Sequence, residues 1–194
     1  MIEPGLTSFA AIVLAGGQAT RLGGADKATI EVRGRSLLEH ALDTVIDAAE
    51  VVVVGQQVPT ERPVTFVVED PQYGGPVAGL LTGRDSLLRE FPWLAVIAVD
   101  MPFVSAATIR RMHEAAVGHD GAVLVDPGLR RQLAFIVDSA RLAEVEPDRE
   151  GRYGHPVSTL LDKLDLVAVP ALGREHRDID SWKDLRDLGD EEEA

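Results

Sequence analysis

The chain contains no cysteine. This absence excludes disulfide staples, thiolate metal sites and a cysteine nucleophile, and it fits a reducing compartment. Positive charge is also in short supply. Nineteen Lys and Arg stand against 32 Asp and Glu, leaving a formal net charge of −13. The resulting field opposes approach to nucleic acid or to an anionic membrane. No window reaches the roughly 18 to 20 apolar residues that a spanning helix needs; the densest, Trp93 to Val99, stops at Asp100. Met1 to Ser8 carries Glu3 and no Lys or Arg, so the basic opening of a secretory signal is missing. The expectation is a soluble, cytoplasmic protein with neither nucleic-acid nor membrane partners.

Several catalytic signatures are missing too. There is no Gly-x-Gly-x-x-Gly nicotinamide fingerprint, no Gly-x-Ser-x-Gly elbow and no His-x-x-x-His zinc spacing among the five histidines. What is present is ordinary globular composition: 194 residues, 45% hydrophobic and 26% charged, enough for one packed core and too apolar for a disordered chain. Near-continuous apolar runs at Ala10 to Leu14, Val51 to Val54, Val64 to Val68 and Leu94 to Val99 suit strands buried on both faces. Helix-like segments alternate with them. One spans Leu37 to Ala49 behind Ser36 with Glu39 at capping-box spacing, and another Val77 to Arg89. A third follows Ser105 and ends near Gly118, and a last follows Ser181 with Asp184 at its third position.

This βαβα alternation predicts an α/β fold, a mostly parallel sheet flanked by helices with ligands at the carboxyl ends of the strands. Gly121 to Val125, the turn Asp126-Pro127-Gly128, and Gln132 to Val137 read as a hairpin, giving a small mixed subregion toward the C-terminus. The acidic stretch 187–194 reads as a solvated tail.

The most informative segment runs from Leu14, Ala15, Gly16 and Gly17 through Arg21, Gly23 and Gly24 to Asp26 and Lys27, and it begins where the first strand ends. Closely spaced glycines let backbone N–H groups converge on an anion without a Cβ in the way. Arg21 and Lys27 add positive charge against an unfavourable global field. The spacing is not a Walker A loop, because Lys27 follows Asp26 and precedes Ala28. A flexible turn would explain the glycines but not the paired cations at a strand end.

Two further strand ends carry candidates. Glu69-Asp70-Pro71 and the turn Gly74 to Gly79 follow one strand; Asp100-Met101-Pro102 closes the most apolar one. A carboxylate there suits Mg²⁺, a hard cation that takes oxygen ligands and keeps several waters. Near the C-terminus, Asp178-Ile179-Asp180 precedes the last helix. A helix N-terminal acid favoured by the macrodipole explains Asp180 equally well.

Taken together, the Leu-Ala-Gly-Gly loop ending in Arg-x-Gly-Gly-x-Asp-Lys, the Asp followed by Gly-Pro-x-Ala-Gly, and the Asp-x-Pro at 100 to 102 resemble the molybdenum cofactor guanylyltransferases of the nucleotidyltransferase superfamily. The resemblance runs in family order over nearly the whole chain. It implies a single Rossmann-like nucleotidyltransferase domain over 1–194, with a nucleotide-binding half at about 1–105 and an acceptor-binding half at about 106–194. The implied reaction is GMP transfer from GTP to molybdopterin cofactor with release of pyrophosphate. Leu14, Ala15, Gly16, Gly17, Lys27, Asp70, Gly75, Gly79 and Asp100 would bind nucleotide, and Arg21, Lys27 and Asp100 would be catalytic. Asp100 and Asp180 would hold Mg²⁺.

Arg130, Arg131 and Gln132 would meet the anionic acceptor, although a solvated surface pair explains the two arginines equally well. Transient contacts with other cofactor-biosynthesis proteins or molybdoenzymes would follow. The chain departs from the family where Asp178 and Asp180 replace two asparagines of an Asn-x-Asn-x-Pro segment. Cytidylyl transfer, or transfer to another phosphorylated metabolite, stays open as the same chemistry. A non-catalytic nucleotide sensor also stays open, but has less use for a metal-binding Asp100. Gly16, where many cytidylyl relatives have Ala, tilts the reading toward guanine.

Overall fold

The computed structural model describes residues 8–16 and 26–190. In chain order, β1 (Phe9–Leu14) is followed by a short antiparallel hairpin, β2 (Glu31–Val32) and β3 (Arg35–Ser36). Helix α1 (Leu37–Thr44), β4 (Glu50–Val54), β5 (Thr65–Val67), α2 (Pro76–Asp85) and β6 (Trp93–Ala98) complete the first half. Then come α3 (Ala106–Ala115), β7 (Gly121–Val125), β8 (Arg131–Asp138), α4 (Ser139–Val145), α5 (Ser158–Leu161), β9 (Leu166–Pro170) and α6 (Trp182–Asp190).

One seven-stranded sheet runs β5-β4-β1-β6-β8-β7-β9. Only β8 is antiparallel to its neighbours in that sheet. β1 is buried along its whole length, as a run without polar interruption requires when both faces are covered. Its side chains alternate between two cores. Phe9, Ala11 and Val13 pack with Leu38 and Leu42 of α1 and Ile109 and Met112 of α3. Ala10, Ile12 and Leu14 pack with Leu80 and Leu81 of α2, Leu142 of α4 and Leu160 of α5.

The mixed C-terminal part is therefore the far edge of the same sheet, not a separate layer. Its hairpin turn is set by Asp126, whose carboxylate accepts the backbone N–H groups of Gly128 at 2.8 Å and Arg130 at 2.9 Å. Such Asx bonding is why Asp opens turns.

Three expected helices stop early. α1 ends at Thr44 rather than Ala49, because Thr44, Val45 and Ile46 are β-branched and the Thr44 hydroxyl donates to backbone carbonyls of His40 and Val104. α2 ends at Asp85, where the Ser86 hydroxyl turns back onto the Thr82 carbonyl at 2.7 Å. α3 ends at Ala115, and Gly118 takes a positive φ of 85° in the turn beyond. The Ser36–Glu39 box is half made: Ser36 accepts the Glu39 N–H, but the Glu39 carboxylate goes to the Glu61 N–H and to Arg35. Among the described residues, no helix is long and apolar enough to cross a membrane.

Candidate active site

The chain lays β4 and β5 on one side of β1 and then crosses to lay β6 on the other. The order of strands reverses beside β1, and open α/β sheets bind ligands in the crevice at the carboxyl ends of such a pair. Leu14 and Ala98 are in register there, and the Val99 N–H donates to the Leu14 carbonyl at 3.0 Å. Gly16 and Asp100 are thereby brought to one mouth.

A cavity of about 390 Å³ opens at this place. Of the residues expected to bind nucleotide, Leu14, Gly16, Lys27, Gly75, Gly79 and Asp100 line it. Ala15 lies beneath, buried, with its N–H donated to the Val54 carbonyl. Gly17 and Arg21 fall outside the described residues. Gly75 stands at the N-terminus of α2 with φ 87°, a conformation that a side chain would strain. Proline follows at the first helical position, where its missing N–H costs nothing. The amino end of α2 thus faces the cavity, where its unpaired N–H groups favour an anion. At Gly79 an added Cβ would lie 3.2 Å from the Leu14 side chain, so glycine keeps helix and strand this close. A larger recess of about 930 Å³ sits at the opposite ends of the strands, near Phe91 and Ser139, away from every motif.

The charged centre consists of Lys27, Asp100 and Asp180. Lys27 opens a short 3-10 turn whose preceding residue, Asp26, caps it by accepting the Ala28 N–H at 3.0 Å. The buried Ala28 anchors that turn against the core. The Lys27 ammonium then reaches Asp100 Oδ2 at 2.8 Å and Asp180 Oδ1 at 2.5 Å. Burial disfavours the charged amine, but the two carboxylates outweigh it and hold its pKa above the ordinary lysine value. Asp178 is a third acid close by. Burial, and then the charges of Asp180 and Asp100, push its carboxyl above the usual aspartate range.

Asp180 reaches the site because Ile179 pins its segment. The Ile179 side chain is buried in the core, and its N–H donates to the Asp100 carbonyl at 2.9 Å. Beyond it, Ser181 and Asp184 form the reciprocal cap of α6: Asp184 accepts the Ser181 N–H at 2.7 Å and its own N–H donates to the Ser181 hydroxyl. The capping duty falls to Ser181 and Asp184, which leaves the Asp180 carboxylate free for Lys27.

The donor set fits a hard divalent cation. Asp100 and Asp180 present carboxylate oxygens to a single point, the one the ammonium holds. Among the described residues, no group of three or more potential metal-ligating side chains is gathered in binding geometry. Two carboxylates with water and phosphate oxygens completing the shell is the arrangement Mg²⁺ accepts.

Two expectations look different in the structure. The Asp70 carboxylate is exposed and paired with Arg149, and it does not line the cavity. The neighbouring Glu69 does, together with Tyr73 and Leu133. Both residues lie beyond the end of β5, where the chain bends, and the motif alone could not say which carboxylate would turn to the cavity. Arg130, Arg131 and Gln132 sit at the tip of the β7–β8 hairpin. Arg130 is paired with Asp126 and Arg131 with Asp162, and the Gln132 amide donates to the Arg130 carbonyl. Their next neighbour, Leu133, is the one on the cavity wall.

Residues 11–182 match the family model described as "MobA-like NTP transferase domain". A probable molybdenum cofactor guanylyltransferase of Methanosarcina acetivorans is 28% identical over 184 residues, covering 87% of this chain and 81% of that protein. The molybdenum cofactor guanylyltransferase of Pseudomonas entomophila is 32% identical over 131 residues, covering 65% and 68%. In fold, the chain matches molybdopterin-guanine dinucleotide biosynthesis protein A of Archaeoglobus fulgidus with TM-score 0.71 at 20% identity, over 95% of this chain and 98% of that one. A 4-diphosphocytidyl-2C-methyl-D-erythritol synthase of Anaerococcus prevotii matches with TM-score 0.74 at 15% identity, over 97% of each chain. The fold is thus shared by guanylyl and cytidylyl enzymes alike. With the family model spanning the sheet, the glycine loop and both aspartate segments, the chain belongs to the MobA-like NTP transferase family and is a nucleotidyltransferase.

Proposed function

We propose that this nucleotidyltransferase moves GMP from GTP to molybdopterin cofactor, forming a guanine dinucleotide cofactor and pyrophosphate. The observation that carries the reading is the meeting of Lys27, Asp100 and Asp180 at the mouth of a glycine-lined cavity in the β1–β6 crevice. The terminal phosphate oxygen of the acceptor attacks the α-phosphorus in line. The bond from that phosphorus to the bridging oxygen breaks, and pyrophosphate leaves with the electron pair. No covalent enzyme intermediate is needed; positioning and electrostatics supply the catalysis. Lys27 and Arg21 offset the charge that collects on the leaving pyrophosphate. Asp100 and Asp180 would hold Mg²⁺, which supplies Lewis-acid polarisation of phosphate oxygens. Residues of about 1–105 carry the nucleotide, and those of about 106–194, with Arg130 and Arg131, face the acceptor.

Guanine is favoured over cytosine by the wall it would meet. Glu69 offers a carboxylate, an acceptor-only group, beside the apolar Leu14 and Val54. Guanine presents two adjacent donors on its Watson–Crick edge, and a carboxylate can accept both. Incubation with Mg²⁺, molybdopterin and each of GTP, CTP and ATP, with pyrophosphate as the readout, tests the assignment. Equal turnover with CTP would remove the guanylyl reading, and no release with any triphosphate would remove transfer to this acceptor.

A further inference from the structure

The position between Asp100 and Asp180 is already taken by a cation of the chain's own. The Lys27 nitrogen lies 2.8 Å from one carboxylate and 2.5 Å from the other. A magnesium ion bound to the same two oxygens would sit about 2.0–2.1 Å from each, in the space the ammonium fills. Two positive charges cannot share that point. Lysine nevertheless has somewhere else to go, since its four-carbon stem is flexible and its side chain also borders the cavity where a triphosphate would lie.

From this geometry we infer that Lys27 is an internal stand-in for the metal: in the nucleotide-free protein its ammonium occupies the divalent-cation position between Asp100 and Asp180. An incoming triphosphate draws it off onto phosphate oxygens, vacating that position for the ion. The stand-in offsets part of the charge of two converging carboxylates when no substrate is present, and it makes metal and nucleotide bind as a pair. A metal arriving alone must evict the ammonium with no new partner offered to it. With nucleotide present, the same displacement exchanges one ion pair for another. This inference rests on Asp100 and Asp180 being the cation-binding pair, but not on the base or the acceptor.

The test uses Mn²⁺ as a paramagnetic probe, without nucleotide, on the intact chain. Free and bound Mn²⁺ are counted by electron paramagnetic resonance in wild type, Lys27→Met, Lys27→Arg and the double variant Lys27→Met/Asp180→Asn. Lys27→Met should bind Mn²⁺ at least tenfold more tightly than wild type. Lys27→Arg, which keeps the cation, should stay weak, and Asp180→Asn should abolish the gain. Equal affinity in wild type and Lys27→Met, or equal tightening in Lys27→Arg, overturns the inference.

Should Lys27→Met fail to fold, the wild type answers alone. Lys27 is one of three lysines in the chain, and its acetylation by an N-hydroxysuccinimide ester can be followed by mass spectrometry. Saturating Mn²⁺ alone should speed acetylation of Lys27 several-fold and leave Lys163 and Lys183 unchanged; an unaltered Lys27 rate overturns the inference. Pyrophosphate release by the wild type with GTP and molybdopterin, measured in parallel, reports the transfer reading separately. Turnover with no Mn²⁺ effect refutes only the stand-in, and the Mn²⁺ pattern with no turnover refutes only the transfer.

Discussion

Asp100 does two things at once: its carbonyl receives the Ile179 N–H and its carboxylate receives Lys27. Only the second depends on charge. Asp100→Asn keeps the shape and the backbone bond but loses the anion that a metal and Lys27 would use. The variant should fold with an unchanged circular dichroism spectrum and turn over about a hundredfold or more slowly, the scale of losing one preorganised charge-stabilising group. Near-normal turnover would make Asp100 a structural residue.

Glu69 permits a second expectation at the same scale. Replacing its carboxylate with an amide swaps one acceptor for a donor, which would then face a donor on guanine. Glu69→Gln should narrow the preference for GTP over CTP, measured as a ratio of kcat/KM, by about tenfold to a hundredfold, the worth of one charge-assisted hydrogen bond of ~1.5–3 kcal/mol. The neighbouring Asp70→Asn should leave the ratio alone, because Asp70 faces Arg149 and solvent. The motif singled out Asp70, and its neighbour Glu69 is the one that lines the cavity. Choosing between the two acids required the backbone to say which one turns inward.

At the scale of elements, β1, β4 and β6 were legible because an uninterrupted apolar run has few uses other than a strand buried on both faces. The run Val64 to Val68, by contrast, forms β5 at the sheet edge and only half-buried. β9, at the other edge, escaped notice because its apolar run is short and broken by Pro170. It lies at the sheet edge, with Leu166 and Val167 half-buried and Ala168 exposed, so its pattern is weak. α4 and α5 are too short to show a helical period. The crevice itself was legible, since strand ends can be located without side-chain detail, whereas the meeting of Lys27 with Asp180, 153 positions apart, belongs to tertiary packing alone.

The element that delivers Asp180 is itself fastened by a buried acid. Glu175 accepts from the Thr108 hydroxyl at 2.5 Å, from Arg111 at 2.7 Å and from the Leu172 N–H at 2.7 Å, tying the 172–180 segment to the start of α3. Burial works against the Glu175 carboxylate, but the bonds from Arg111, Leu172 and Thr108 prevail and hold its pKa below the usual glutamate range. A carboxyl whose pKa is lower folded than unfolded stabilises the fold above the unfolded pKa. That contribution is lost as pH falls through the folded one. Glu175→Gln should therefore lower the unfolding free energy measured by urea at pH 7 by about 1–3 kcal/mol for the weakened buried bonds. The difference from wild type should shrink as pH falls below about 4.5, and a difference unchanged at pH 3 would show that its charge contributes nothing. If the segment loosens, half-maximal turnover should need more Mg²⁺, which a fold-only role would not produce.

For the whole molecule, the question is how an anionic nucleotide finds an anionic protein. The net charge is −13, and several acids stand at the mouth beside Lys27. Lys27 is neutralised by Asp100 and Asp180, while Glu69 lines the cavity and Asp178 lies close to the pair. A net charge of −13 repels an anionic nucleotide, and such repulsion acts over about 30 Å at 0.01 M salt but only about 8 Å at physiological ionic strength. Added salt should consequently raise the association rate of a fluorescent GTP analogue, measured by stopped flow at fixed Mg²⁺, between those two conditions. The usual phosphate site, approached through a basic field, behaves in the opposite way. Dissociation, which short-range contacts with Lys27 and the glycine-lined wall would govern under the proposed reading, should change less. A rate of association that falls with salt would mean that Arg21 and its loop project enough positive potential to outweigh the rest of the surface, and Arg21→Ala should then reverse the slope.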